Sequence, residues 1–381
     1  MQKYLHKLRA QILVLIFFAC SASIARADET LEQQVDRLMS PYSKPNVPGA
    51  AIGIFRGPDI LLAKAYGLRD LEHQQDHTIK TNFRTASLSK AFTSTAIMQL
   101  IESGQLRLTT TITEIFPNFP EYGSGITIKH LLSHTSGLHD YELLMPPNYQ
   151  GQITDKGVLD LLATERSGYF TPGSRFRYSN SGYAILACIV EKITSLPFQD
   201  YLRDHIFLPL QMHQTVAYVK NYNDVVERAY GYSPNGNAFK FTDQSSTSAV
   251  LGDGGIYSSI QELHQWIQMW NGGNSVLSPG SMTSMTEPNR LNNGQATNYG
   301  FGWFVEQYKG TRKISHTGST IGQKHAIAFF PEKNLGIVIL ANRENAAPWE
   351  ISDSIAAVLL TDHSTVHNAE GLGATSNLHL Q

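Results

Sequence analysis

The sequence predicts an α+β protein in which one antiparallel sheet is assembled from both chain ends around an inserted, mainly helical domain. Strand-like apolar runs bounded by turn residues occur early, at 50–55 and 60–66. They return late, at 302–307, 313–316, 325–330 and 336–341. Between the two groups the periodicity is helical, and Pro and Gly clusters punctuate it. Of the 381 residues, 41% are hydrophobic and 16% charged, which supports a large core and excludes broad disorder.

The first 27 residues are read as an export signal outside the fold. Lys3, Lys7 and Arg9 precede an apolar run at 12–19, and Ala25-Arg26-Ala27 fits an Ala-x-Ala cleavage site. Lipoprotein-type anchoring at Cys20 is the minor alternative. The run is too short to span a bilayer comfortably, so no stable membrane span is expected in the mature protein. A periplasmic or secreted location follows. Removing 1–27 takes four basic residues and no acidic one, which moves the formal net charge from −2 to −6. An acidic exported protein has no charge-based reason to bind nucleic acid. Of the two cysteines only Cys188 then remains. It sits in the apolar run 183–190 and reads as a buried helix residue, not as a nucleophile.

The elements follow in order. Leu31, Val35 and Leu38 share one face of a helix at 31–39, which Pro41 and Pro45 end. Residues 56–59 turn between the first two strands. Ala91, Thr95, Met98 and Ile101 mark one face of a helix at 87–102, with Gly104 as its stop. Further helices are expected at 158–164, 181–194 and 260–270. Residues 331–334 join the last two strands as a hairpin, and a helix at 351–360 closes the fold. These elements divide the chain into a discontinuous sheet domain (28–86 and 295–360) and a helical domain (87–294). The helix from Ser87 lies at their boundary, and 361–381 is a flexible tail. A cleft between the domains is the natural place for a site.

Three motifs carry possible chemistry. Ser87-Leu88-Ser89-Lys90 puts a hydroxyl at a helix start and an amine one turn later. A serine needs a base to become a nucleophile, and a lysine in a dry cleft can lose its own proton. The same residues also fit a plain N-cap and a solvated lysine. Tyr178-Ser179-Asn180 follows a turn and precedes an apolar helix. A phenol deprotonated near cations is a workable general base, and the amide can orient a carbonyl or the lysine. His316-Thr317-Gly318 ends a strand-like run. The backbone N–H of Ser319 there can pair with that of Ser87 as oxyanion donors. Gly318 would let substrate approach the backbone closely.

The order and context of these motifs resemble the serine beta-lactamase and penicillin-binding-protein superfamily, in its class C beta-lactamase-like branch. Residues 83–90, 126–138, 176–183, 252–259, 315–319 and 330–336 all resemble its segments, so the likeness spans roughly 30–360. The resemblance implies a beta-lactamase/transpeptidase-like fold, three-layered α/β/α with an antiparallel sheet plus the helical domain. It implies Ser87, Lys90 and Tyr178 as catalytic residues and Ser87 and Ser319 N–H groups as oxyanion donors. Asn180, His316, Thr317 and Gly318 would bind or position substrate. No cofactor and no metal are implied.

One departure bears on substrate. Beta-lactamases of this branch usually carry lysine where this chain has His316. A histidine of ordinary pKa is mostly neutral at pH 7 and pairs poorly with a substrate carboxylate. The expected substrates are therefore small-molecule esters or small D-amino-acid amides, with a peptidoglycan-like substrate also open. Activity on beta-lactams is expected to be weak or absent. A true beta-lactamase or D-alanyl-D-alanine carboxypeptidase is the first alternative, and a non-catalytic binding or sensor protein the second. Aromatic residues in 141–150 and 218–241 suggest an apolar acyl pocket.

Two other readings are set aside. No Gly-x-Ser-x-Gly elbow is present. His73/His77 and His130/His134 have i, i+4 spacing without the glutamate of a zinc helix. His73 and His77 read as surface residues, and His134 as a structural hydrogen-bonding group. Oligomeric state is not legible.

Overall fold

The computed structural model describes residues 29–361. The export signal, Cys20 and all of the expected tail beyond Thr361 lie outside the described residues. Helix α1 (Leu31–Met39) is held at its start by a capping box, in which the Thr30 hydroxyl accepts from the Gln33 N–H and the Gln33 side chain accepts from the Thr30 N–H. Strands β1 (Ala50–Arg56) and β2 (Asp59–Tyr66) form the early hairpin. The middle of the chain contributes helices α2 (Ser89–Glu102), α3 (Asp155–Leu162), α4 (Asn180–Thr194) and α5 (Ile260–Trp270). Strands β3 (Phe304–Tyr308), β4 (Thr311–Thr320), β5 (Gln323–Phe330) and β6 (Leu335–Ala341) follow, and α6 (Pro348–Thr361) closes the fold.

The six strands form one sheet in the order β3-β4-β5-β6-β1-β2, antiparallel at every pair. The late strands and the early hairpin meet where β1 pairs with β6, Ala50 opposite Ala341 and Arg56 opposite Leu335. The period-two alternation of β1 explains the layers. Ile52 and Ile54 pack with Val35, Met39, Ile337, Ile339, Ile351 and Ile355, so α1 and α6 cover one face. Ala51 and Phe55 belong to a second cluster that runs through Trp266, Val338 and Leu340 into the helical middle. Each of these large apolar side chains contributes roughly 1.5–3 kcal/mol by leaving water.

Two features place the site. Strand β3 pairs only with residues 311–315 of β4, so 316–320 run on beyond the end of β3. Farther back on β4, the Lys313 ammonium bonds Asp353 at 2.6 Å and lies 3.6 Å over the Trp349 ring, which ties the strand to α6. Helix α2 departs from the expected one-sided pattern. Its residues from Ser89 to Met98 are all buried, because neighbours enclose it on every side. Thr93 spends its hydroxyl on the Gly252 carbonyl at 2.7 Å.

The histidine pairs also differ in part from expectation. His73 is exposed and bonds Asp70, as a surface residue does. His77 is buried, stacks on Phe83 with ring centres 4.8 Å apart, and bonds the Asn342 side-chain oxygen at 3.1 Å. Asn342 lies just past β6 and draws His77 inward, which a polar local sequence does not reveal. Among the described residues no group of three potential metal ligands occurs, and no helix is long and apolar enough to cross a membrane.

Candidate active site

Ser87 does not cap a helix. It lies in a short 3-10 turn, Ala86–Leu88, and α2 starts behind it at Ser89 with Leu88 as its N-cap. The N-cap reading therefore fails, because the Ser87 hydroxyl caps nothing and is free to face the cleft. Ala86 adopts φ +50°, a left-handed conformation that costs a residue with a Cβ on the order of 1 kcal/mol. The strain is held by anchors on either side. Thr85 N–H and hydroxyl both donate to the Ile256 carbonyl, and Ser89 Oγ accepts from the Ile256 N–H. Among its neighbours in 81–90, all buried, Ser87 alone is half-exposed.

Lys90 is fully buried, so it is no solvated helix residue. Its Nζ donates to Ser87 Oγ at 3.0 Å and to the Asp253 carbonyl at 2.9 Å. Burial pushes the amine well below the usual lysine value, against the pull of the nearby Asp253 and Glu142 carboxylates. Asp253 is itself pushed upward by burial, and its Oδ2 accepts from the Tyr141 hydroxyl at 3.1 Å.

Tyr178 packs above this pair. The Lys90 ammonium lies 5.0 Å from its ring centre, and the phenol interacts with the Ser87 hydroxyl. Burial raises the phenol above its ordinary value, so its resting form keeps the proton and is not the phenolate considered from sequence. His134 supports the loop from below. Its ring lies tilted against Tyr178 with ring centres 4.2 Å apart, and its Nδ1 accepts the Ser179 N–H at 3.1 Å. The structural hydrogen bond expected of His134 is thus present. Asn180 opens α4 and bonds Glu142 Oε1 at 2.7 Å, and its Oδ1 is buried without a partner. Its side chain donates to Glu142, while the Lys90 amine is held by Ser87 and the Asp253 carbonyl.

His316 is 1% exposed. Its Nδ1–H donates to the Thr317 carbonyl at 2.7 Å, which leaves Nε2 as an acceptor. The Tyr299 hydroxyl donates to that nitrogen at 3.1 Å, and Tyr178 lies at 3.5 Å. Burial, with Lys90 adding repulsion, lowers the His316 pKa to about 3. The ring is neutral at pH 7 and offers the site a lone pair, not a cation. Sequence reasoning missed Tyr299, since nothing in its spacing marks a residue 17 positions upstream as the partner.

Gly318 has a close protein neighbour of its own. A Cβ there would lie 2.4 Å from the Thr85 carbonyl oxygen, so it is the turn before Ser87 that approaches closely. Thr317 is exposed beside it. Ser319 and Thr320 line the cleft with Ser87, Asn180, Asp253 and Arg84. This cleft is small, about 70 Å³, and polar. Of the two aromatic loops only Tyr141 and Glu142 reach it, so the expected apolar acyl pocket is absent from it. A larger cavity of about 520 Å³, lined by Phe116, Leu159 and Cys188 among others, shares no residue with it. Cys188 is buried in α4, as expected.

The arrangement unites a hydroxyl, a buried amine of lowered pKa and a protonated phenol around one cleft. That set can move a proton off the hydroxyl and onto a departing group. Comparisons with known proteins agree in family. Penicillin-binding protein 4* of Bacillus subtilis (strain 168) is 31% identical over 310 residues, 77% of this chain and 68% of that protein. Protein flp of Staphylococcus aureus (strain MW2) is 28% identical over 327 residues, 82% of this chain and 63% of that protein. The chain thus spans about two thirds of the length of these curated relatives. The octameric penicillin-binding protein homologue from Pyrococcus abyssi superposes with a TM-score of 0.73 at 26% identity, covering 87% of this chain and 76% of that one. The Beta-lactamase family profile matches residues 30–361, and the chain belongs to that family, a family of serine hydrolases.

Proposed function

We propose that this chain is an exported serine hydrolase, periplasmic or secreted, that cleaves esters or small amides, D-amino-acid amides included, through an acyl-enzyme on Ser87. The single observation that carries the reading is the 3.0 Å bond between Ser87 Oγ and the fully buried Lys90 amine. In the neutral form Lys90 takes the Ser87 proton as Oγ attacks the substrate carbonyl carbon. The new C–O bond turns the carbonyl oxygen into an oxyanion, held by the N–H groups of Ser87 and Ser319. As the intermediate collapses, the bond to the leaving oxygen or nitrogen breaks. Tyr178 donates its proton to that atom and is reprotonated by Lys90. Water then attacks the ester, Lys90 and Tyr178 repeat the relay, and Ser87 leaves with its proton. Asn180, Thr317 and Gly318 shape the substrate's position in this scheme.

The neutral His316 supports esters and amides over carboxylate-bearing beta-lactams, since no cation stands at that position to hold the carboxylate. A panel of short-chain nitrophenyl esters, D-alanine amide and a chromogenic cephalosporin tests the reading. Turnover of the esters or the amide, lost in Ser87→Ala, is expected. Cephalosporin hydrolysis far faster than ester hydrolysis contradicts it.

A further inference from the structure

Arg84 is buried, no carboxylate among the described residues forms an ion pair with it, and the Asp253 carboxylate of the same cleft acts on it only from farther off. Its guanidinium donates to Ser248 Oγ at 2.8 Å, to the Ser248 carbonyl at 3.2 Å and to Thr320 Oγ1 at 3.1 Å, and its Nε has no partner. Buried cations are ordinarily paired, because an uncompensated charge has lost its hydration. Lys324, partly exposed, adds a second cation one strand over. It faces Ser319 across the β4–β5 pair, and its Nζ donates to Ser319 Oγ at 2.7 Å with no acidic partner among the described residues. Two cations whose hydrogen-bond partners are all neutral therefore meet at Ser319 and Thr320, which line the cleft with Ser87. The cleft's own carboxylates accept hydrogen bonds from neutral side chains, and neither forms an ion pair with Arg84 or Lys324. Glu142 accepts from Asn180 and Asp253 from Tyr141.

The geometry also gives a direction. Tyr178, which protonates the leaving group in the proposed mechanism, contacts His316 at 3.5 Å. Along β4 a leaving group drawn to Tyr178 lies on the His316 side of Ser319. The acyl chain then extends the other way, past Ser319 toward Thr320. We propose that Arg84, Thr320 and Lys324 form an anion subsite for the acyl chain, so that preferred substrates carry a second carboxylate on the acyl group. The inference rests on the reading of Ser87 as nucleophile and names the substrate class of that same site.

Three nitrophenyl esters of equal chain length test it: the hexanoate, the adipate monoester and the ε-aminohexanoate. The adipate ester is expected to exceed the hexanoate about tenfold in kcat/KM at low salt, the size of one charge-assisted hydrogen bond. Added salt reduces that ratio, because Lys324 is partly exposed. Lys324→Met lowers the ratio and Lys324→Arg retains it. Equal rates for the two esters, or a preference for the ammonium ester, overturn the subsite, as does a ratio unchanged in Lys324→Met. Calorimetric titration of adipate into Ser87→Ala reads the subsite without turnover. Saturable binding weakened by Lys324→Met supports it even if the nucleophile reading fails, and no binding overturns it.

Discussion

Gly318 stands where any Cβ would press within 2.4 Å of the Thr85 carbonyl oxygen, which locks the end of β4 against the turn that presents Ser87. Gly318→Ala must therefore push the strand and the turn apart. With the proposed oxyanion donors on these two segments, a displacement of that kind costs roughly tenfold to a hundredfold in kcat/KM. Kinetics beside circular dichroism check this. A folded variant with native activity would show that the contact is not needed.

The buried Lys90 amine gives the pH dependence a definite sign. A base must be neutral to accept a proton, and burial lowers the Lys90 pKa from its ordinary 10.5. The acidic limb of kcat/KM should fall as pH drops through that lowered value, well below the ordinary one. Asp253 raises the lysine pKa, so Asp253→Asn should move the limb to lower pH. A pH–rate profile of both proteins reads the shift, and a limb that stays put or moves upward contradicts the assignment.

His316 is neutral where the family resemblance leads one to expect a lysine. His316→Lys should raise the acylation rate by benzylpenicillin, by about tenfold for one charge-assisted contact. It should also lower the melting temperature, because the new ammonium is buried near Lys90. Stopped-flow acylation and thermal unfolding test both halves. No gain in acylation removes the neutral ring as a determinant of beta-lactam recognition.

Stability carries a histidine signature. Burial lowers the His325 pKa to about 3, and both ring nitrogens are used, Nε2–H toward the Arg84 carbonyl and Nδ1 accepting from the Ala341 N–H. A base whose folded pKa is depressed stabilises fully above its unfolded pKa of 6.5 and loses that contribution as pH falls toward 3. At pH 5 the loss is about 2 kcal/mol. Denaturant unfolding of the native protein should therefore lose about 2 kcal/mol more than His325→Asn between pH 7.5 and pH 5. Parallel losses in the two proteins would refute it. Buried acids such as Asp155, raised by burial to about 8, act in the opposite sense, which is why the variant comparison is needed.

Much of the fold was legible because its signals are local. The short apolar run at 50–55 and the turn at 331–334 need no distant partner to be read. The candidate residues Ser87, Lys90 and Tyr178 were reached differently, through the order of their motifs and the family resemblance, since each motif alone also fits a plain structural role. The structure places Lys90 3.0 Å from Ser87 and 5.0 Å from the Tyr178 ring centre. What stayed hidden depends on long-range closure. The second Lys90 bond goes to the backbone carbonyl of Asp253, 163 residues away, and backbone carbonyls leave no mark in a sequence. The Tyr299 bond to His316, the inward turn of His77 and the contact of Gly318 with Thr85 are of the same kind. So is the polar cleft, since aromatic loops do not reveal which of their residues reach it.

The central claim is that Ser87 becomes acylated. Intact-mass spectrometry of the protein quenched seconds after mixing with a nitrophenyl ester tests it most directly. The native protein should gain the mass of one acyl group, and Ser87→Ala should gain none. Equal labelling of both proteins, or ester turnover that persists in Ser87→Ala, would contradict it.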